Sequence, residues 1–487
     1  MILTLIFFIL FISLVSIFFV ANTNFFFIRQ VGLLASSICF ILSVFLLYDF
    51  YLDFSYFQSL IIYKLGFDFL NLYFFLGLDG VSLFFFILSS FLIFLCILFI
   101  WDEKMIKEYV IILLFLDLLL LVVFSILDTL LFYIFFEAIL IPMYIMIGLW
   151  GSRERKIRAV YLFFFYTLLG SLCMLLGLLY IYSELGTLNY DYIYFHKLTF
   201  TEQYWLWLAF FLSFASKIPL FPFHLWLPEA HVEAPTVGSV LLAGILLKLG
   251  VYGFLRFNLN LFPEASFYFS PLIFILSILG IIYASMNALR QTDLKRIVAY
   301  SSVAHMNLVT MGIFSFNILG IEGSILQSIS HGFVSGAMFL LIGILYQRYH
   351  SRFLLYYSGL THTMPLYSSF FCMFTMANIA LPGTSSFIGE FLLLIGIFKI
   401  NFLACFFASL GVILCGSYSL WLYNRICFGN LNINNTLYFN DLNMREFFIL
   451  AILLILVIFM GIYPKFFIQY INFACLNYHI VNLTMYA

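Results

Sequence analysis

The sequence predicts an all-α, polytopic membrane protein of about fourteen transmembrane helices, and three observations carry that prediction. The 487-residue chain is 65% hydrophobic and only 9% charged, a balance outside the range of soluble domains. Apolar runs of roughly 20 residues, the length that crosses a bilayer, recur from one end to the other. The few basic residues sort to alternate connections, as membrane topology requires.

The candidate spans, numbered 1 to 14, fall near residues 2–20, 31–48, 82–101, 110–126, 129–149, 160–182, 204–226, 236–257, 268–289, 297–316, 324–346, 366–395, 402–424 and 446–464. Span 1 starts at once with Met1-Ile-Leu-Thr-Leu-Ile-Phe. It lacks the basic start and small-residue cleavage site of a signal peptide and the Arg-rich pattern of a transit peptide, so it is expected to be retained. Span 2 follows Arg29, and span 3 follows the long connection 49–81. Spans 4 to 6 are joined by short connections, the last of which carries Arg153, Arg155, Lys156 and Arg158. The other long connections, 183–203 and 425–445, precede spans 7 and 14. With both termini outside, the inner connections hold fourteen Lys and Arg and the outer ones five, while Lys217 and Lys248 lie inside spans 7 and 8. One miscounted span would scramble this asymmetry.

Two spans must break. Span 7 carries Pro219 and Pro222, and span 12 carries Pro382-Gly383. They are five spans apart, and a five-helix unit leaves by the face opposite to the one it enters. Spans 4–8 and 9–13 therefore read as an inverted repeat with a discontinuous helix fourth in each, an architecture of secondary transporters. The expected organisation is residues 1–108 (spans 1–3), 109–257 (first repeat), 258–424 (second repeat) and 425–487 (a loop and span 14).

Composition excludes several functions. A net charge of −1 is wrong for a nucleic-acid binder. The 8 cysteines form no C-x-x-C pair and read as small core residues, with no metal site expected. There is no dinucleotide fingerprint and no haem-attachment sequence, so no redox centre is expected in this chain. The 66 phenylalanines suggest an AT-rich, organellar gene. Aromatic stripes in a chain that is 21% aromatic read as lipid contact and packing before they read as a quinone pocket.

Ionisable residues inside spans cost at least a few kcal/mol and mark function. Along the chain these are Glu137, Lys217, Lys248, His305, His331 and Glu390, each able to gain and lose a proton. A desolvated lysine yields its proton more easily, and a nearby carboxylate reverses that. Glu137 and Lys217 thus read as a switchable pair, the histidines as relays and Glu390 as a terminal carboxylate. The alternatives are a static Glu137–Lys217 pair, histidines bonded to facing carbonyls, and Glu390 capping the second half-helix. Asp117 also lies inside a span, without an obvious partner. In the connection between spans 7 and 8, Glu229, His231 and Glu233 read either as proton collectors or as solvated loop residues.

The run from Lys217 to Gly244 (Lys-Ile-Pro-Leu-Phe-Pro-Phe-His-Leu-Trp-Leu-Pro-Glu-Ala-His-Val-Glu-Ala-Pro-Thr-Val-Gly-Ser-Val-Leu-Leu-Ala-Gly) resembles the signature of antiporter-like subunits of respiratory complex I. Leu-Gly-Leu-Asp79-Gly-Val-Ser-Leu, Phe-Glu137-Ala-Ile-Leu-Ile-Pro142-Met and the stretch from Asp293 to Met306 resemble further motifs of that family. The match runs from about residue 76 to 425. The resemblance implies a fourteen-helix proton-pumping subunit of the mitochondrial inner membrane, coupled to NADH:ubiquinone electron transfer. Its neighbours would be the other antiporter-like and membrane-arm subunits, with FMN and iron–sulfur clusters in partner subunits. It also places Glu137, Lys217, Lys248 and Glu390 on the proton path, joined by His305 and His331, while His224 and Trp226 match the signature without a proton role. Subunits of multisubunit Na⁺/H⁺ antiporters share these motifs and are the alternative.

Overall fold

A computed structural model describes residues 2–52, 56–64, 73–101, 105–196, 198–431 and 440–486. Lys104 and Lys197, both part of the charge asymmetry, lie outside the described residues. Each predicted segment contains helix, with residues 218–225 interrupting the seventh and 379–384 the twelfth. The helices are α1 (Ile2–Phe19), α2 (Phe25–Tyr48), α3 (Gly80–Phe99), α4 (Ile106–Ser125), α5 (Thr129–Trp150), α6 (Lys156–Leu185), α7a (Phe200–Lys217) with α7b (Trp226–Glu233), and α8 (Thr236–Leu259). The series continues with α9 (Pro263–Arg290), α10 (Leu294–Ile313), α11 (Ile318–Tyr349), α12a (Pro365–Asn378) with α12b (Ser385–Phe398), α13 (Phe402–Cys427) and α14 (Met444–Ile462). A last helix, α15, runs from Lys465 to Tyr486.

Among the described residues, 11 helices are long and apolar enough to cross a membrane. The predicted spans missing from that set are 7 and 12, which are split, and 10, whose Ser301, Ser302, His305, Asn307 and Thr310 make it polar. Each of these three exceptions carries a residue of the predicted proton path, Lys217, His305 and Glu390. Apolar burial drives the other helices together only loosely, since lipid is as apolar as leucine. α1 and α2 accordingly show many exposed phenylalanines, among them Phe8, Phe11, Phe18 and Phe26.

The chain divides into two compact units. The first comprises Met1–Lys217, Lys248–Phe269 and Gln469–Ala487, and the second Ile218–Leu247 and Ser270–Ile468. In the first unit, the connection 49–81 contains an antiparallel hairpin, β1 (Gln58–Lys64) and β2 (Tyr73–Leu78), which sequence patterning left as loop. Its inner strand is tied to the α4–α5 turn, where the Leu127 amide donates to the Phe75 carbonyl at 2.8 Å.

The hairpin leads into Asp79, which caps α3. Its Oδ1 accepts from the Ser82 amide at 2.8 Å while the Ser82 hydroxyl accepts from the Asp79 amide at 2.9 Å, a reciprocal capping box. The same oxygen lies 2.9 Å from Arg256 Nη2 near the end of α8. Rings of Phe57, Tyr252 and Tyr190 stand 4.6, 5.2 and 5.5 Å from that guanidinium. One carboxylate thus fixes a helix start and neutralises a buried arginine. Asp79→Ala removes a cap worth about 1 kcal/mol and strands Arg256, a change of about 3–5 kcal/mol. The expected result is faster thermal inactivation and poor assembly on native gels, whereas Asp79→Asn keeps the cap and loses only the ion pair.

In the second unit the break of α12 has a clear cause. Pro382 cannot donate a backbone hydrogen bond, Ala380 is left-handed at φ 65° and Gly383 sits at φ 96°. The freed carbonyls find side chains: Ser386 Oγ donates to the Ala377 carbonyl, and Cys415 Sγ donates to that of Asn378. α14 braces the break, and only glycine fits there, since a Cβ on Gly461 would lie 2.3 Å from the Gly383 carbonyl oxygen.

Candidate functional site

In the first unit, Glu137 sits at a second, unpredicted interruption. α5 is helix to Ala138 and again from Leu140, and Ile139 between them keeps its bonds to Phe135 and Met143, so the bond missing at this point is the one to the Ala138 carbonyl. Pro142 explains this, because it has no amide for the Ala138 carbonyl and its ring crowds that oxygen. Lys217 is the final residue of α7a, where Pro219 and Pro222 end the helix. Its Nζ donates to the Phe136 carbonyl at 2.7 Å, lies over the Phe136 ring at 3.2 Å from the centroid, and stands 3.6 Å from Glu137 Oε1. The lysine's short bond therefore goes to backbone, while its attraction to Glu137 is coulombic and longer than a hydrogen bond. Both side chains are shielded, at 5% and 16% exposure. Such a pair can open without breaking a hydrogen bond between its members.

The start of α5 is held by Asp128, in the turn outside the spans. Its Oδ1 accepts from the amides of Leu130 and Leu131, both at 3.0 Å. Burial nevertheless pushes this carboxyl up, to about 6, against the opposing pull of those two amides. The native state therefore holds its proton more tightly than the unfolded chain. Asp128 carries a burial penalty that is fully present above about pH 6 and relieved as pH falls from there toward 3.8. Asp128→Asn keeps an acceptor without the charge. Its gain in thermal stability over the parent is expected to be larger at pH 8 than at pH 5, measured as inactivation half-life.

Lys248 is fully buried in α8. It belongs to an α-helical stretch, Leu247–Gly253, between two π-helical segments, Leu242–Leu246 and Phe254–Leu259. π-segments shift the register of a helix and are frequent at functional sites. Asp117 on α4 is also fully buried, and neither of its oxygens has a hydrogen-bond partner.

In the second unit, His305 (α10), His331 (α11) and Glu390 (α12b) come together. His305 Nδ1 is 3.1 Å from Glu390 Oε1, and the two imidazole centroids are 5.7 Å apart. Glu390 lies in the second turn of α12b, and its Oε1 also accepts from Gln327 Nε2 at 3.0 Å. The carboxylate thus engages side chains of α10 and α11, in place of the capping role that sequence left open. Cys415 Sγ is 3.6 Å from the other histidine nitrogen, Nε2. Gln327 and Cys415 were missed by sequence reasoning. For Gln327 there is a signal, because it precedes His331 by four residues and shares its helix face. A cysteine in an apolar run carries none; Cys415 is a buried free cysteine, as its reading as a small core residue expects, and its sulfur contacts add to that reading.

The segment 226–233 is a half-helix rather than a solvated loop, which corrects that reading of Glu229, His231 and Glu233. Glu229 pairs with Arg296 at 2.7 Å on a part-exposed face. His231 is buried and stacks on Phe339 at 4.6 Å, and Glu233 is buried with Arg352 Nη2 at 3.9 Å. Lys295 Nζ bonds the Ala234 carbonyl at 2.7 Å and Ser239 Oγ at 3.2 Å. These contacts brace the half-helix and do not gather the three residues into one site. His224 packs against Phe221 and Tyr283, at 5.6 and 5.2 Å between ring centroids.

Broken helices with buried ionisable side chains beside the breaks are the architecture of ion-coupled transporters of the membrane interior. Comparison with known proteins narrows this. The transmembrane family described as NADH:quinone oxidoreductase/Mrp antiporter matches residues 127–416. The chain is 54% identical to "NADH-ubiquinone oxidoreductase chain 4" of Chondrus crispus, covering 92% of each chain. It is 52% identical to the protein of that name from Arabidopsis thaliana, covering 96% of this chain and 94% of the relative. A chain of respiratory complex I from Thermus thermophilus with bound NADH superposes with a TM-score of 0.89 at 30% identity, covering 98% and 99% of the two chains. A chain of an archaeal membrane-bound sulfane sulfur reductase shares the fold, with a TM-score of 0.84 at 21% identity over 94% of this chain and 76% of that one. The chain belongs to the NADH:quinone oxidoreductase/Mrp antiporter family, and it is a multi-pass membrane protein.

Proposed function

We propose that this chain is the chain-4, proton-translocating subunit of an NADH–ubiquinone oxidoreductase, in the mitochondrial inner membrane. The observation that carries the proton role is the Lys217 ammonium, buried at a helix break and 3.6 Å from Glu137. The 54% and 52% identity to relatives named NADH-ubiquinone oxidoreductase chain 4, over nearly their whole length, supports the chain-4 assignment.

In this reading each unit holds an acid–base pair that can change partner. With Glu137 near, Lys217 keeps its proton. When the carboxylate withdraws or is neutralised, desolvation favours the neutral amine and the proton leaves. Lys248, between its two π-segments, is the next carrier. In the second unit His305 exchanges a proton with Glu390 through Nδ1, with His331 beside it and Glu390 as the terminal group. The expected repeats, residues 109–257 and 258–424, give each pair its own broken helix. Electron-carrying groups, FMN and iron–sulfur clusters, sit in partner subunits, and the neighbours in the membrane are other antiporter-like subunits.

The test is a native gel of mildly solubilised membranes stained for NADH dehydrogenase activity, with this chain located by mass spectrometry. Co-migration with a large NADH-oxidising particle is the expected result. Migration in a smaller assembly without flavin or iron–sulfur clusters would overturn the reading in favour of a Na⁺/H⁺ antiporter.

A further inference from the structure

Cys415 joins two features that the proton site needs to have joined. Its Sγ lies 3.6 Å from His305 Nε2, accepts from the Tyr418 hydroxyl at 3.0 Å and donates to the Asn378 carbonyl at 3.4 Å. Asn378 is the last residue of α12a, so its carbonyl is one that the break sets free. Its Nδ2 also approaches the sulfur, at 3.8 Å. Cys415 and Tyr418 are 4% and 1% exposed. A cavity of about 20 Å³ lies among His305, Glu390, Cys415 and Tyr418, room for one water.

We propose that Cys415 is a positioning residue that couples the break of α12 to the tautomer of His305, with Tyr418 holding the thiol in place. This rests on the proton-translocating reading of Glu390 and His305.

A neutral imidazole has one donor nitrogen and one acceptor, and the bond made by one nitrogen sets the role of the other. With the Cys415 hydrogen turned to Asn378, the sulfur can only accept from Nε2. Nε2 therefore carries the ring hydrogen, and Nδ1 is the acceptor facing Glu390 at 3.1 Å. In this state the proton of a neutral Glu390 passes from Oε1 to Nδ1, giving a carboxylate and an imidazolium whose Nε2 keeps its hydrogen and donates it to the sulfur. Return of the proton restores both neutral groups. If the break of α12 shifts and the Asn378 carbonyl withdraws, the thiol hydrogen is free to turn to Nε2. The ring hydrogen then resides on Nδ1, and Glu390 faces a donor that cannot take its proton. Motion of a half-helix thereby gates one proton transfer. Besides Glu390 and Cys415, the titratable groups near His305 among the described residues are His331 of α11 and Tyr418 of α13, and the rest of the cavity lining is apolar, Ile281 of α9 and Val412 of α13 among it.

The test uses the assembled oxidoreductase in proteoliposomes. Proton uptake per NADH oxidised is measured from about pH 6 to 9, spanning the range where histidine sites titrate, with native gels as the assembly control. Cys415→Ala is expected to lower coupled proton transport roughly tenfold, as loss of an orienting partner does at other sites, and to move the pH profile. Cys415→Ser, which keeps a donor and an acceptor, recovers more than half of the transport and restores the profile, and Tyr418→Phe falls between. Should Cys415→Ala fail to assemble, the serine and Tyr418→Phe variants decide the matter by the same two readouts. Assembled Cys415→Ala with the parental pH profile and proton yield would overturn the inference, as would a serine variant no better than alanine. Glu390→Gln run in parallel separates the two levels. If it too pumps normally, the proton-site reading fails. If it fails while Cys415→Ala pumps normally, only the role of Cys415 is lost.

Discussion

Lys217→Met is expected to leave the enzyme assembled and to lower ubiquinone-linked, proton-coupled turnover by about a hundredfold or more, within the range for loss of a general acid–base group. NADH oxidation by an artificial acceptor should stay near the parental rate if, as proposed, the electron-carrying groups lie in other subunits. Methionine replaces the lysine stem with apolar volume and cannot carry a proton. It also leaves Glu137 without its cation, 16% exposed, and a half-broken buried pair costs about 3–5 kcal/mol unless the carboxyl takes up a proton. The double variant Glu137→Gln/Lys217→Met removes both charges, so it should regain thermal stability without regaining turnover. That split distinguishes a working pair from a static one. A structural pair would show the reverse, with weakened assembly and intact pumping in whatever assembles, and this result would sink the mechanism.

The parts of this site that sequence revealed are those that break a rule of membrane composition. Lys217, Lys248, His305, His331 and Glu390 stand out because charge and imidazole are costly in hydrocarbon, and Pro219 and Pro382 because they lack an amide. Features that obey the rules stayed hidden. The interruption of α5 at Ile139 follows from Pro142, yet one proline in a span usually produces only a kink, so its effect on the carbonyl next to Glu137 was not foreseen. The hairpin at 58–78 is short and lies in a connection, where alternation gives a weak signal. The π-segments around Lys248 have no composition signature. Cys415 is the extreme case, a residue counted as apolar whose sulfur makes its contacts only after α10, α12 and α13 have come together.

The other large effect is expected at Glu390. Glutamine there is nearly isosteric and can still accept from Gln327, 3.0 Å away, so the fold around α12b should survive. What glutamine cannot do is hold and release a proton opposite His305, so coupled turnover should drop by about a hundredfold or more. His305→Gln should cost a comparable factor, because it removes the other member of a single transfer. Groups that act as one unit do not add. The double variant should therefore be no slower than the worse single variant, within about twofold. Steady-state turnover and proton yield of the four enzymes form a complete cycle. If the two losses instead multiply, the residues act independently, and the 3.1 Å contact between them is packing rather than a step on the proton path.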